Sequence, residues 1–98
     1  MSITTIVNGT ETTLKLDGCL DTAAAPEFSA ALEAVADAKA LVIDFSALEF
    51  IASSGLRALV LAKERATKAG GSIVLTGLNE VVADVFDVTG LHEVFDIR

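Results

Sequence analysis

Among its 98 residues the chain has no Trp, no Tyr, and one each of Cys, Pro, His and Met. A lone Cys19 excludes an intrachain disulfide and suits a reducing compartment. His92 has no second imidazole and no cysteine pair near it in sequence, so a metal site or a Ser-His-Asp triad has little support. Basic residues are scarce: seven Lys and Arg face fourteen Asp and Glu, a net charge of −7. Nucleic acid and anionic membrane surfaces demand a basic patch, so both are poor partners for this chain. Acidity serves solubility, and it also suits a basic surface on another protein. No run approaches the ~18 apolar residues of a membrane span. Met1–Thr5 lacks the basic-then-apolar pattern of a signal peptide, which gives a cytoplasmic expectation. Asn8-Gly9-Thr10 matches a glycosylation sequon and reads here as a turn.

What is present is an abundance of apolar residues, 52% of the chain, with five Phe as the only aromatics. That suits one domain over residues 1–98 with a largely aliphatic core. Ile3–Val7 and Thr12–Leu16 are rich in β-branched residues and flank Asn8-Gly9, a hairpin signal. Asp17-Gly18 reads as the end of the second strand. In Ala23–Ala36, Phe28, Leu32 and Val35 recur at helical spacing, with Pro26 near the first turn and Asp21 or Thr22 as cap. Ala40–Phe45 reads as a buried strand. Leu56–Ala69 reads as a helix stopped by Gly70-Gly71, and Ser72–Thr76 as a strand. Asn79 can cap a third helix carrying Val82, Val85 and Phe86 and stopped by Gly90. Val94–Ile97 reads as a short last strand. The order β-β-α-β-α-β-α-β predicts an α/β fold: a mixed four- to five-stranded sheet with helices mainly on one face.

The segment richest in chemical content is Asp44–Leu59. Ser53, Ser54 and Gly55 lie between a strand and a helix, where unsatisfied N–H groups and a partial positive charge favour an anion or a phosphorylated hydroxyl. Ser is also a preferred helix cap, so one serine can cap while the other is modified. Asp44 reads as capping the turn after its strand. Cys19, without cationic neighbours in sequence, reads as an inert thiol. Leu61, Val81 and Val88 fall off the inward stripes of their helices. They become a docking patch if they are exposed beside Ser53.

Ala52-Ser53-Ser54-Gly55-Leu56 resembles the Asp-Ser-Ser/Thr-Gly-Leu signature of STAS domains, and in particular of bacterial anti-sigma factor antagonists. The resemblance places the family's phosphorylated serine at Ser53, with Ser54 as the second hydroxyl, Gly55 as the motif glycine and Ala52 in place of the usual Asp. Gly18, Leu20 and Asp21 match the family's Gly-Glu-Leu-Asp, with Cys19 in place of Glu. Asp44 matches its strand-end Asp or Asn. The element order fits a STAS fold along nearly the whole chain, although many members carry a further helix after the last strand.

The resemblance implies a partner-switching protein rather than an enzyme. The unphosphorylated form would bind an anti-sigma factor, usually a serine protein kinase of the GHKL type, and release the sigma factor. Phosphorylation of Ser53 would end binding, and a protein phosphatase would restore it. ATP belongs to the kinase, so no cofactor is expected. The interface would comprise Asp21, Ala52, Ser53, Ser54, Gly55, Leu56 and the exposed side of the second helix. Two alternatives stand beside it. One is a STAS subunit of a lipid-transport ABC complex, or a constitutive scaffold that Ala52 would suit. The other is a small hydrolase using Ser53 or Ser54 with His92.

Overall fold

The computed structural model describes residues 1–98. Strands β1 (Ser2–Asn8) and β2 (Glu11–Leu20) pair antiparallel, with Asn8 opposite Glu11 across the turn. Gly9 in that turn has φ +64, a region costly to residues bearing a Cβ. Helix α1 (Ala25–Ala34), strand β3 (Ala40–Ile51), helix α2 (Ser53–Ala69), strand β4 (Ser72–Thr76) and helix α3 (Glu80–Thr89) follow. A 3₁₀ turn (Leu91–Glu93) and strand β5 (Asp96–Ile97) complete the chain. The sheet order is β1-β2-β3-β4-β5, and β2 to β5 run parallel.

Each crossover moves the chain one strand further in the same direction. Right-handed connections therefore put all three helices on one face. The burial pattern agrees. Leu14, Leu16, Ile43, Phe45, Ile73 and Leu75 point into one core with Phe28, Leu32, Leu59, Val82 and Phe86 from the helices. On the other face Lys15 and Asp17 are exposed and Val42, Asp44 and Val74 half-buried. The core is largely aliphatic, as expected, with four Phe among its 19 buried residues. Phe86 packs edge-to-face between Phe45 and Phe95, with centroids 6.2 and 6.0 Å apart. Such pairs add ~0.5–1.5 kcal/mol beyond their burial.

Several expected boundaries move. β2 does not end at Asp17-Gly18 but continues to Leu20, and β3 does not stop at Phe45 but reaches Ile51. Lys15 pairs with Asp44 but Asp17 with Ala47, and Gly18 pairs with Leu48 but Cys19 with Phe50. Each step inserts one extra residue into β3, a bulge that resets the side-chain phase. Phe45, Leu48 and Ile51 thus all face the core at three-residue spacing. Helix α1 is shorter than Ala23–Ala36, because Asp21 organises a turn before it and Val35 leaves helical geometry at φ −111, ψ 18. The last strand shrinks to Asp96–Ile97 because the Val94 and Phe95 N–H groups bond back to the Leu91 carbonyl at the end of the 3₁₀ turn.

The glycine and asparagine signals hold. Gly70 and Gly90 end α2 and α3 with φ +76. Asn79 Oδ1 accepts the Val82 N–H at 2.8 Å, and its Nδ2 donates to the Leu48 carbonyl at 3.0 Å. One side chain thereby caps α3 and fastens it to the far part of β3.

Candidate functional site

The site begins where β2 and β3 end together. Leu20 pairs with Ile51, and the Ala52 N–H donates to the Leu20 carbonyl at 2.8 Å. That bond holds Ala52 extended (φ −87, ψ 165) as the residue before the first helical position of α2. Ala52 carries no side-chain acceptor, so the helix starts without a side-chain cap. Here the structure differs from the expectation that a serine caps α2: Ser53 and Ser54 occupy its first two helical positions. A residue inside the helix cannot serve as its cap.

The two serines differ sharply. Ser53 is exposed. The Ser54 Oγ is buried and has no hydrogen-bond partner. Gly55 is buried against the strand ends. A Cβ there would stand 2.8 Å from Leu20 Cγ and Cδ2 and 3.1 Å from Ile51 Cγ1. Glycine is therefore what lets the first turn of α2 lie on the sheet edge. Leu56 is buried at 8% exposure and anchors that turn in the core.

Asp21 follows Leu20 as Ala52 follows Ile51, so the structure brings Asp21 to the same edge as the serine turn. Its Oδ1 accepts the Ala24 N–H at 2.8 Å, and its carbonyl accepts from Ala24 and Ala25. It closes the turn before α1 and does not cap the helix as expected: the N-cap is Ala24, without a side-chain cap, and Asp21 makes no hydrogen bond to either serine. A shallow groove runs from here between α1 and α2, lined by Thr22, Pro26, Ser29, Ser54, Arg57 and Leu61, among others. Leu61, 50% exposed, is therefore part of this surface. Val81 and Val88 are exposed too, but on α3.

Other candidates lie elsewhere. Asp44 is not at a strand end but within β3, where its Oδ1 accepts the Ser46 N–H at 2.9 Å. The Ser46 hydroxyl and then that N–H hold the Asp44 carboxyl below its ordinary pKa, and Lys15 adds a smaller pull. Cys19 Sγ donates to Glu49 Oε2 at 3.6 Å. Partial desolvation first, then the bond and charge of Glu49 and the charge of Asp21, push the thiol up and away from the reactive thiolate. His92 Nδ1 lies 3.4 Å from the Phe86 carbonyl and 3.6 Å from Asp87 Oδ1, at the far end of α3. Neither serine hydrogen-bonds to it. No group of three His, Cys, Asp or Glu side chains could hold a metal ion. No helix is long and apolar enough to cross a membrane.

Sequence reasoning missed two residues of this edge. Phe50, 44% exposed, stands three residues before Ser53, and its outward direction depends on the second bulge. Arg57, exposed in the groove, follows Ser53 by one helical turn. The spacing from Ser53 to Arg57 was available as a signal in the sequence.

Fold and site define a class: a small α/β domain that presents a serine on a helix set against the end of a mixed sheet. Comparison with known proteins narrows it. The family model described as "Mlab, STAS domain" matches residues 3–97. The Bordetella bronchiseptica protein named "Putative anti-sigma factor antagonist BtrV" is 31% identical over 84 residues, covering 84% of this chain and 72% of BtrV. An anti-sigma factor antagonist from Mycobacterium paratuberculosis has the same fold, with TM-score 0.85 and 31% identity over 98% of this chain and 85% of that one. The Bacillus protein SpoIIAA in its phosphorylated form matches in fold at TM-score 0.77 and 20% identity, over 99% of this chain and 91% of that one. The chain belongs to the STAS domain family, among the anti-sigma factor antagonists.

Proposed function

We propose that this protein is a cytosolic anti-sigma factor antagonist switched by phosphorylation of Ser53. The observation that carries the reading is the contrast at the start of α2. Ser53 is exposed and Ser54 Oγ is buried, with exposed Arg57 one helical turn further along α2. The unmodified edge binds an anti-sigma factor that is also a GHKL-type serine kinase, and the sigma factor is released. The kinase transfers the γ-phosphoryl group of ATP to Ser53 Oγ; the hydroxyl proton leaves and ADP is the other product. A phosphatase hydrolyses the ester to serine and inorganic phosphate. The protein itself acts by binding rather than by catalysis and needs no cofactor.

The physical effect is electrostatic. Phosphorylation adds about −1.5 to −2 charge at pH 7. Pressed into a close interface, that charge must be desolvated. A penalty of ~3 kcal/mol weakens binding more than a hundredfold. Exposed Asp21 and half-buried Ala52 join Ser53 in the contact surface, while Ser54 Oγ, Gly55 and Leu56 are buried and support the turn from beneath instead of touching the partner as expected. The existence of SpoIIAA in a phosphorylated form supports the reading.

Ala52 favours a second reading, a constitutive STAS subunit, for instance in a lipid-transport ABC complex. It places a methyl group where the family signature has a carboxylate. One experiment separates the two: intact-mass measurement with peptide mapping on protein from growing and stressed cells. A fraction heavier by about 80 Da at Ser53 that varies with condition supports the switch. Unmodified protein in every condition supports the constitutive subunit.

A further inference from the structure

We propose that Arg57 is the intramolecular counter-charge of phosphorylated Ser53, so that phosphorylation withdraws a cation from the docking groove as it adds an anion. The proposal rests on the phosphoswitch reading above. Ser53 and Arg57 are the first and fifth residues of α2. Residues four apart on a helix are neighbours, with Cβ atoms about 5–6 Å apart. Helical side chains lean toward the N-terminus, so Arg57 leans toward Ser53. An anion at the earlier position and a cation at the later one is the better order for such a pair.

Arg57 is otherwise unengaged. The ion pairs of the protein are His92–Asp87 and Arg98–Asp96. The first turn of α2 has no acidic residue. Positions three and four beyond Arg57 are Val60 and Leu61. The facing part of α1 and its lead-in turn contributes Thr22, Pro26 and Ser29, and Arg57 is the one charged side chain in the groove. Asp21, next to Thr22, accepts the Ala24 N–H and forms no ion pair with Arg57. Six of the seven Lys and Arg form no ion pair, and what sets Arg57 apart is its place one helical turn after Ser53.

A guanidinium engages a phosphate through two parallel N–H donors. Arg57 and the partial positive charge of the helix start would then offset much of the phosphate charge. A partner that uses the free Arg57 as a contact loses it at the moment Ser53 becomes anionic. The switch thereby changes two contacts with one modification.

The test uses full-length protein carrying genetically encoded phosphoserine at position 53, so it does not depend on any kinase. ³¹P NMR follows the second ionisation of the phosphate in the wild type, Arg57→Gln and Arg57→Lys. With Arg57 in contact, that ionisation falls about 0.3 pH unit below its value in Arg57→Gln. Arg57→Lys restores part of the shift, and 1 M salt reduces it. Identical titrations in the wild type and Arg57→Gln would overturn the proposal. Failure of the switch reading itself is separate: it shows as undiminished partner binding by the phosphorylated protein, whatever the titration gives.

Discussion

Gly55 and Leu20 are in direct contact across the junction of α2 and the sheet: a Cβ at position 55 would lie 2.8 Å from both Leu20 Cγ and Leu20 Cδ2. Leu20 has 0% exposure and belongs to the buried core. The close approach draws the serine turn onto the strand ends, where Ala52 also bonds to the Leu20 carbonyl.

Gly55→Ala is therefore destabilising, although Ala favours a helix by ~1 kcal/mol over Gly. Overpacking a filled site costs about 1–3 kcal/mol and outweighs that gain. Urea unfolding should show a lower midpoint with an unchanged slope. A midpoint at or above the wild type would mean that α2 does not need this contact.

Ser54→Ala should stabilise the protein. The Ser54 Oγ is buried without a partner, and such a group costs about 1–3 kcal/mol. Removing it should raise the melting temperature by about 4–8 °C per kcal/mol recovered in a domain of this size. Ser53→Ala, at an exposed position, should change it little. A loss of stability in Ser54→Ala would show that the hydroxyl has found a partner in solution.

Asp44 gives a pH dependence with a defined sign. Its folded pKa is lowered, chiefly by Ser46. The carboxylate therefore contributes stability in full above its unfolded pKa of about 3.9 and loses it as pH falls through the lower folded value. Asp44→Asn keeps an acceptor for the Ser46 N–H but removes the charge. Its deficit against the wild type should be constant from pH 7 to about pH 5 and should shrink below pH 4. A deficit that grows in acid would contradict this assignment.

Cys19 should react slowly. Desolvation and Glu49 push its thiol up, and only the thiolate is nucleophilic. Iodoacetamide at pH 8 should alkylate Cys19 more slowly than a free cysteine peptide, and Glu49→Gln should speed the reaction. A rate above that of the peptide would mean an activated thiol.

Much of the fold was legible because its signals are local. Asn79 caps α3 through a bond within its own turn, and Gly70 and Gly90 stop helices by their own φ angles. Asp17-Gly18 misled because the continuation of β2 depends on bulges in β3, a strand that lies far on in sequence. The serine cap misled for a similar reason. The bond from Ala52 to Leu20, rather than the preference of serine for caps, sets where α2 begins. The motif located the edge, but the exposure of Phe50 and the burial of Ser54 Oγ arise only from tertiary packing.

The central claim is that the charge state of Ser53 decides partner binding. It is tested most directly by titrating the anti-sigma factor kinase from the same organism with two forms of this protein, one with Ser53 and one with phosphoserine installed there. The unmodified form should bind tightly and the phosphorylated form at least a hundredfold more weakly, corresponding to ~3 kcal/mol. Equal affinity for both forms would contradict it.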